Sequence, residues 1–331
     1  MTKLVDSFGR QITYLRLAVT DRCNLRCTYC MPSEGAAIVE RKELLTYKEM
    51  YRITRVLSEL GVNKVRITGG EPFVRKDLMG FLKMMSFNEL LEEINITTNG
   101  VLVGEHAEKL SEFKVKTVNL SIDSLQSEKF AQITRRSVFE KVWETLERIE
   151  KSDLKLKLNV VVQSGVNTDE INDFVELTKD REIEVRFIEE MPFNGVGVRA
   201  TEAVWDFKAI VDEIKKKHPE LVALPVEKSS TSRNFKIKGA KGIVGVIPAY
   251  TRTICSDCNR IRITSTGELK NCLFDEGVYS VRDFLRSGVS DKALKQLFVD
   301  LVSKKPKDGF AAETNRKKNK NVSESMSSIG G

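Results

Sequence analysis

Six cysteines are the residues in this sequence best suited to chemistry, and they form two triplets. They are Cys23, Cys27 and Cys30 in the first triplet and Cys255, Cys258 and Cys272 in the second. The spacings are C-x3-C-x2-C and C-x2-C-x13-C, and no cysteine lies between the triplets. Three thiolates can hold three irons of a [4Fe–4S] cube and leave the fourth iron open for catalysis. We therefore expect metal chemistry in a reducing compartment rather than disulfides.

Zinc is the main alternative for both triplets. A structural zinc ion normally has four protein ligands, and neither His106 nor His218 is placed in the sequence to be the fourth. The pair Cys255 and Cys258 alone would be typical of zinc, but the third thiol without a fourth again favours an open iron.

Two other motifs could bind a ligand. Gly69 and Gly70 close the second predicted strand in Thr68-Gly-Gly-Glu-Pro72, and adjacent glycines allow close approach of the backbone to a ligand. The alternative is an ordinary turn from strand to helix. Arg260 and Arg262 alternate along a strand, so both guanidinium groups share one face and suit a phosphate. The alternative for them is a solvated strand face.

These residues must be positioned by repeated βα units. β-branched runs predict strands over 15–19, 64–68, 93–97, 117–122, 155–162 and 184–188. Between them lie amphipathic segments such as the helix predicted over 47–60, where apolar residues recur at three- and four-residue steps. The pattern favours either a doubly wound sheet or an incomplete barrel, and both bind ligands at the carboxyl ends of the strands.

A second module is predicted after residue 190. It has a helix over 205–217, hairpins over 235–247 and 260–272, and helices over 281–287 and 293–302. We expect domains at 1–190 and 191–303. Residues 304–331 are rich in Lys, Asn and Ser, which predicts a flexible tail ending in Gly330 and Gly331.

Composition excludes several classes of protein. The 331 residues are 41% hydrophobic and 31% charged, which predicts a soluble globular chain. No apolar run is long enough to span a membrane, and no secretory signal is visible. The net charge of +7 favours an anionic ligand but falls short of a nucleic-acid-binding stripe. The pattern Gly195-x-Gly197 imitates a dinucleotide motif, but no suitably spaced strand and acidic residue follow it.

The first triplet, placed directly after the first strand, resembles the radical S-adenosylmethionine (SAM) superfamily. With the second triplet and the arginine pair, the chain resembles the GTP 3′,8-cyclases of molybdenum cofactor biosynthesis, the MoaA type, over nearly its whole length. Two further motifs resemble those of animal members of the family, namely Met191-Pro-Phe-Asn-Gly195 and Glu227-Lys-Ser-Ser-Thr231. The shared motifs are Asp21-Arg-Cys-Asn-Leu-Arg-Cys-Thr-Tyr-Cys-Met-Pro32, Arg66-Ile-Thr-Gly-Gly-Glu-Pro72, Thr97-Thr-Asn-Gly100, Asn119-Leu-Ser-Ile-Asp123 and Val185-Arg-Phe-Ile-Glu189.

The resemblance implies an incomplete (β/α)6 radical SAM barrel with a C-terminal module that carries a second [4Fe–4S] cluster. It implies that SAM chelates the open iron of the first cluster and that guanine binds the open iron of the second. The implied SAM contacts are Tyr29, Gly70, Glu71, Ser121 and Met191. The implied GTP contacts are Arg16, Lys64, Arg66, Thr97, Lys157, Arg186, Arg260 and Arg262. The resemblance also implies that the terminal double glycine is needed for activity. The alternative is that Gly330 and Gly331 have no function.

The implied reaction converts GTP to 3′,8-cyclo-7,8-dihydro-GTP. A 5′-deoxyadenosyl radical removes the ribose 3′-hydrogen, and the carbon radical attacks guanine C8. The implied partners are GTP, an electron donor and a downstream cyclic pyranopterin monophosphate synthase, with a homodimer possible and no nucleic acid or membrane. The implied compartment is the cytoplasm, or the mitochondrial matrix for an animal chain, although no presequence is visible. Alternatives are another two-cluster radical SAM enzyme, such as a peptide-maturing one, and a non-catalytic zinc protein that binds RNA.

Overall fold

The computed structural model describes residues 3–35, 39–191, 205–275 and 279–317, and these form one twelve-stranded sheet with helices packed on it. The strands are β1 Tyr14–Ala18, β2 Lys64–Thr68, β3 Glu93–Thr98, β4 Val115–Ser121, β5 Lys155–Val162, β6 Glu184–Glu189, β7 Val222–Ala223, β8 Arg233–Lys236, β9 Ile243–Ile247, β10 Arg260–Ile263, β11 Glu268–Lys270 and β12 Tyr279–Ser280. The six strands predicted for the first domain are confirmed to within two residues at each end.

Ten α-helices lie in the described ranges. They are α1 Tyr47–Glu59, α2 Leu78–Ser86, α3 Ala107–Leu110, α4 Ser127–Thr134, α5 Phe139–Glu150, α6 Ile171–Asp180, α7 Phe207–Lys217, α8 Val281–Arg286, α9 Asp291–Val302 and α10 Gly309–Lys317. Helix α1 begins at a capping box, in which the Thr46 hydroxyl accepts from the Glu49 amide and the Glu49 carboxylate accepts from the Thr46 amide. Its buried face includes Met50, Ile53 and Leu57, as the predicted periodicity requires.

The sheet order joins the two predicted modules. Strands β1 to β6 are parallel neighbours in chain order, β10 pairs in parallel with β1, and β9 pairs in parallel with β6. The predicted hairpins are confirmed as the antiparallel pairs β8–β9 and β10–β11. The C-terminal strands therefore extend both edges of the (β/α)6 sheet, an arrangement that the hairpin pattern alone did not predict.

The two faces of the parallel strands differ in polarity. Leu15, Leu17, Val65 and Ile67 point into the main apolar core. The intervening positions carry charged and amide side chains, although parallel sheets are normally apolar on both faces. The polar face is therefore the face on which a ligand would be expected.

The prediction of a flexible tail from residue 304 onward is wrong for 309–317, where the chain forms α10. Ala312 on this helix is 1% exposed and packs with Phe274. The Lys, Asn and Ser content of the whole segment concealed the short apolar run at its start. Within the part of the chain that the structure describes, no helix is long and apolar enough to cross a bilayer.

Candidate active site

A cavity of about 300 Å³ lies against the polar face of the sheet, and all six cysteines line it. The first triplet follows β1, whereas the second lies just before β10 and just after β11. Because β10 pairs with β1, sheet pairing brings together two triplets that are far apart in sequence. None of the six cysteines is in a disulfide, and each is half-buried.

The two glycines of the second motif hold the loop of the first triplet in place. A Cβ atom at Gly69 would collide with the Thr20 carbonyl, and one at Gly70 would collide with the Arg22 carbonyl. Gly69 also has φ of +148°, a conformation that favours glycine. Both glycines line the cavity, and their close approach is to the backbone of the cysteine loop.

The Glu71 carboxylate is fully buried beneath this loop. It accepts hydrogen bonds from the Thr98 hydroxyl at 2.8 Å, the Asn99 amide at 2.7 Å and the Phe73 amide at 3.1 Å. Burial raises the pKa of Glu71 to about 7, and these hydrogen bonds oppose the shift. The Asn99 side chain in turn donates to Asn24 Oδ1 at 2.7 Å and to Cys23 Sγ at 3.7 Å. Glu71 therefore supports the first triplet through Asn99.

A second buried carboxylate supports Tyr29, which lies between two cysteines of the first triplet. The Tyr29 hydroxyl donates to Asp123 Oδ2 at 2.8 Å, and Asp123 Oδ1 accepts from the Val161 amide at 2.8 Å. Burial raises the pKa of Asp123 to about 6 and also raises the pKa of Cys27. The predicted SAM contacts Tyr29, Gly70, Ser121 and Met191 all line the cavity.

Three arginines lie side by side on the cavity face. Arg16 is in register with Arg262 of β10 on one side and with Arg66 of β2 on the other. Adjacent strands are about 4.8 Å apart, so the three positive charges are crowded. Burial, and then Arg262 and Arg66, lower the pKa of Arg16 well below its usual range. Among the described residues, the Nε groups of Arg16 and Arg66 have no hydrogen-bond partner.

The same face continues across the sheet to Arg186 of β6, which is 4% exposed. Its guanidinium donates to Asn119 Oδ1, and burial lowers its pKa to about 10. Arg16, Arg66, Arg186 and Arg262 all line the cavity. The Glu184 carboxylate lies 3.8 Å from the Arg186 guanidinium and also pairs with Lys157. Crowded, buried guanidinium groups are costly, so this face is suited to a polyanion.

The second triplet has its own cationic neighbours. Arg260 Nε donates to Cys258 Sγ at 3.4 Å. Burial alone would raise the pKa of Cys258, but Arg260 and Lys305 favour the thiolate and lower it to about 6. Burial raises the pKa of Cys272 to about 11. Arg260 is therefore held at the cysteines, whereas Arg262 belongs to the arginine row.

Comparison of the sequence with known proteins shows which family the chain belongs to. Residues 17–178 match the Radical SAM superfamily, and residues 183–311 match Molybdenum Cofactor Synthesis C. The chain is 42% identical to the GTP 3′,8-cyclase of Peptoclostridium acidaminophilum, with 92% of this chain and 93% of that protein covered. It is 42% identical to that of Hydrogenovibrio crunogenus, with 94% and 95% covered. The chain belongs to the GTP 3′,8-cyclase family.

The chain is also similar to longer relatives, and it shares its fold with a solved structure. The chain is 42% identical to molybdenum cofactor biosynthesis protein 1 of Bos taurus, with 91% of this chain covered but 48% of the relative. It thus spans about half the length of such relatives, and the predicted leaning towards animal members does not show in these identities. The crystal structure of Streptococcus suis SuiB shares the fold with a TM-score of 0.64 and 16% identity, covering 98% of this chain and 78% of SuiB.

The cysteines fit the cofactors of the GTP 3′,8-cyclase family, which are two [4Fe–4S] clusters and SAM. Within the described ranges, no three Cys, His, Asp or Glu side chains could hold a single metal ion. A cube attaches each thiolate to a different iron, so its ligands need not converge on one point. Each triplet offers three thiols towards the shared cavity, which is the donor set that such a cluster needs.

Several residues that the family resemblance implicated lie elsewhere. Lys64 pairs with Glu93 at 2.8 Å, Lys157 pairs with Glu184 at 2.5 Å, and neither lysine is among the described residues that line the cavity. Glu71 lies beneath the loop, as described above. Thr97 does line the cavity. Gly330 and Gly331, like residues 195–197, lie outside the described residues.

Sequence reasoning assigned no role to five residues that shape the site. They are Asn99, Asp123, Asn159, Glu189 and Arg252. Asn99, Asp123 and Glu189 were present in the family motifs Thr97-Thr-Asn-Gly100, Asn119-Leu-Ser-Ile-Asp123 and Val185-Arg-Phe-Ile-Glu189, so a signal existed. Arg252 lies in no such motif, and only its folded contacts reveal it.

Proposed function

We propose that this chain is a radical SAM enzyme that converts GTP to 3′,8-cyclo-7,8-dihydro-GTP for molybdenum cofactor biosynthesis. One observation carries the proposal. Two cysteine triplets open into a single cavity, and three arginines, Arg16, Arg66 and Arg262, lie in register on neighbouring strands along that cavity. A nucleoside triphosphate places its negative charge against these crowded arginines, and its ribose and base extend from the phosphates into the space between the triplets.

The chain's own residues bind and orient. Cys23, Cys27 and Cys30 would hold the first cluster, which, when bound together with SAM, would supply the 5′-deoxyadenosyl radical needed to remove the ribose 3′-hydrogen. Arg16, Arg66 and Arg262 hold the triphosphate by charge-assisted hydrogen bonds. A fixed triphosphate keeps the ribose in one orientation, and such positioning is the main contribution of a protein whose cofactors do the difficult chemistry.

The second triplet lines the remaining wall of the cavity. Cys255, Cys258 and Cys272 would hold the second cluster, whose open iron is the site for the guanine base. Arg260, bonded to Cys258, keeps a positive charge beside that wall. Closing the reaction requires one electron and one proton after C8 is attacked, so an external electron donor is part of the proposal. A synthase that makes cyclic pyranopterin monophosphate would consume the product.

Anaerobic turnover with GTP, SAM and a chemical reductant tests the proposal. GTP deuterated at the ribose 3′ position should yield deuterated 5′-deoxyadenosine together with the cyclised nucleotide, both detected by mass spectrometry. The loaded protein should contain about eight irons and eight sulfides, and Cys255→Ala with Cys258→Ala should lose about half of each. Zinc in place of iron, or SAM cleavage without deuterium transfer from GTP, would contradict the proposal.

A further inference from the structure

Arg252 connects the second cysteine triplet to the C-terminal helix α10. It lies three residues before Cys255 and has φ of +56°, in the left-handed region that non-glycine residues rarely adopt. Its guanidinium donates to the Gly309 carbonyl at 3.1 Å and pairs with the Glu313 carboxylate at 2.7 Å. Arg252 is only 9% exposed, so this is not a loose surface ion pair.

Two aromatic rings complete the environment of Arg252. Its guanidinium carbon lies 3.8 Å from the centre of the Phe274 ring and 4.6 Å from that of Phe310. Phe274 follows Cys272 by two residues, whereas Phe310 belongs to α10. Cation–π contacts strengthen when they are shielded from water, and Phe274 is buried whereas Phe310 is 56% exposed, so the contact with Phe274 is the stronger of the two. Arg252 therefore joins the element after Cys272 to the element that contains Gly309.

The segment that leads into α10 is bound to the same triplet by two more cations. Arg10 donates to the Lys307 carbonyl at 2.7 Å and to the Cys255 carbonyl at 3.1 Å. The Lys305 ammonium is buried and donates to the Arg260 carbonyl at 2.8 Å.

Apolar packing also stabilises the contact between α10 and the segment that follows Cys272. Ala312 of α10 and Phe274 form a small core of their own, and Cys272, Leu273 and Met191 pack against it. A Cβ atom at Gly309 would lie 2.8 Å from the Phe274 ring and 2.9 Å from Arg252 Cδ. The helix therefore fits closely against the module only while residue 309 has no side chain.

We infer that Arg252 is a positioning residue that holds residues 305–317 as a cover over the second cysteine triplet. The cover limits access of solvent and small reagents to Cys255, Cys258 and Cys272, because the contacts of residues 305–317 described above are made with the second triplet and its neighbours. The biological use of the cover rests on the proposed function, since it would protect the cluster of the guanine site. The cover itself can be tested without turnover.

The test is thiol alkylation of the full-length, metal-free chain by iodoacetamide, followed cysteine by cysteine with peptide mass spectrometry. In Arg252→Gln, the second triplet should react roughly tenfold faster, because protected groups react in proportion to the open population of their cover. Cys23, Cys27 and Cys30 should react at unchanged rates. Protease cleavage within 305–317 should increase in parallel.

Arg181→Gln is the matched control, since Arg181 pairs with Glu150 at 2.6 Å and lies over the Trp143 ring, away from the cavity lining. The Arg181→Gln variant should leave the alkylation rates of both triplets unchanged. Gly309→Val tests the same cover by steric collision and should reproduce the selective effect. Equal acceleration of both triplets would indicate general unfolding and overturn the inference, as would unchanged rates in both variants. Loss of GTP cyclisation plays no part in this test, so the cover and the proposed function can fail separately.

Discussion

The guanidinium groups of Arg16, Arg66 and Arg262 occupy neighbouring positions on three adjacent strands. Without a ligand they repel one another, and part of each is shielded from water. With a polyanion they become an array of charge-assisted donors. The same residues therefore destabilise the ligand-free fold and stabilise the complex, as is common where a binding site is built into a sheet.

Arg16→Gln should separate these two effects. It should weaken GTP binding by about 1.5–3 kcal/mol, the usual contribution of a hydrogen bond to a charged group, in anaerobic calorimetry. Removing the central charge of the row should also raise the melting temperature of the ligand-free protein by roughly 2–4 °C. Arg148→Gln is the control, because its pair with Glu144 is more than half exposed on both sides. A variant that binds GTP normally and melts at the original temperature would contradict the prediction.

The residue types, but not all of their contacts, could be predicted from the sequence. Alternation placed Arg260 and Arg262 on one face, and the cysteine spacings indicated open clusters. Which arginine contacts which group depends on pairing between strands that are far apart in the chain. That pairing puts Lys64 and Lys157 against Glu93 and Glu184. The contact of Arg260 with Cys258, two residues before it, is local, but it needs the folded course of the loop.

At the scale of elements, Glu189 joins three parts of the molecule. Its fully buried carboxylate at the end of β6 accepts from the Phe207 amide that begins α7, and from the Tyr250 and Thr251 amides, each at 2.7 Å. The Tyr250 segment leads directly into Arg252 and the second triplet. The end of the (β/α)6 sheet thus fixes the start of the loop that carries the second set of cysteines.

Glu189→Gln should cost about 1.5–3 kcal/mol of unfolding free energy, because an amide group would oppose backbone donors with one of its own N–H groups. Denaturant unfolding of the metal-free chain measures this cost. Glu190→Gln, at the neighbouring and less buried position, is the control and should change stability much less. A change within 0.5 kcal/mol in Glu189→Gln, about the size of an ordinary surface substitution, would show that these bonds do not hold the loop.

Local patterns predicted the elements themselves well and their partners poorly. The helices predicted over 47–60, 205–217, 281–287 and 293–302 are confirmed to within two residues, because apolar periodicity and capping are local signals. Helix α10 was missed because its stability comes from packing on Arg252 and Phe274 rather than from its own composition. A short helix that is stabilised by such tertiary contacts shows no apolar periodicity in its sequence.

At the scale of the whole molecule, the two modules share one sheet. Strand β10 covers the β1 edge, β9 covers the β6 edge, and the cavity lies between the elements that both modules supply. A chain without the C-terminal strands would expose two parallel edges with unpaired backbone groups, which favours aggregation. Neither module is therefore expected to be an independent folding unit, although separate family models match them.

Splitting the chain between residues 191 and 205 tests this expectation. The fragments 1–191 and 205–331, expressed separately, should aggregate, because each lacks the strands that pair with its edges. Expressed together, they should co-purify and unfold in a single transition, since the β1–β10 and β6–β9 pairs join them without a peptide link. The intact chain under the same conditions is the reference for cooperativity. If the 1–191 fragment alone were monomeric and melted at the temperature of the intact chain, the first module would fold without the C-terminal strands, and the expectation would be wrong.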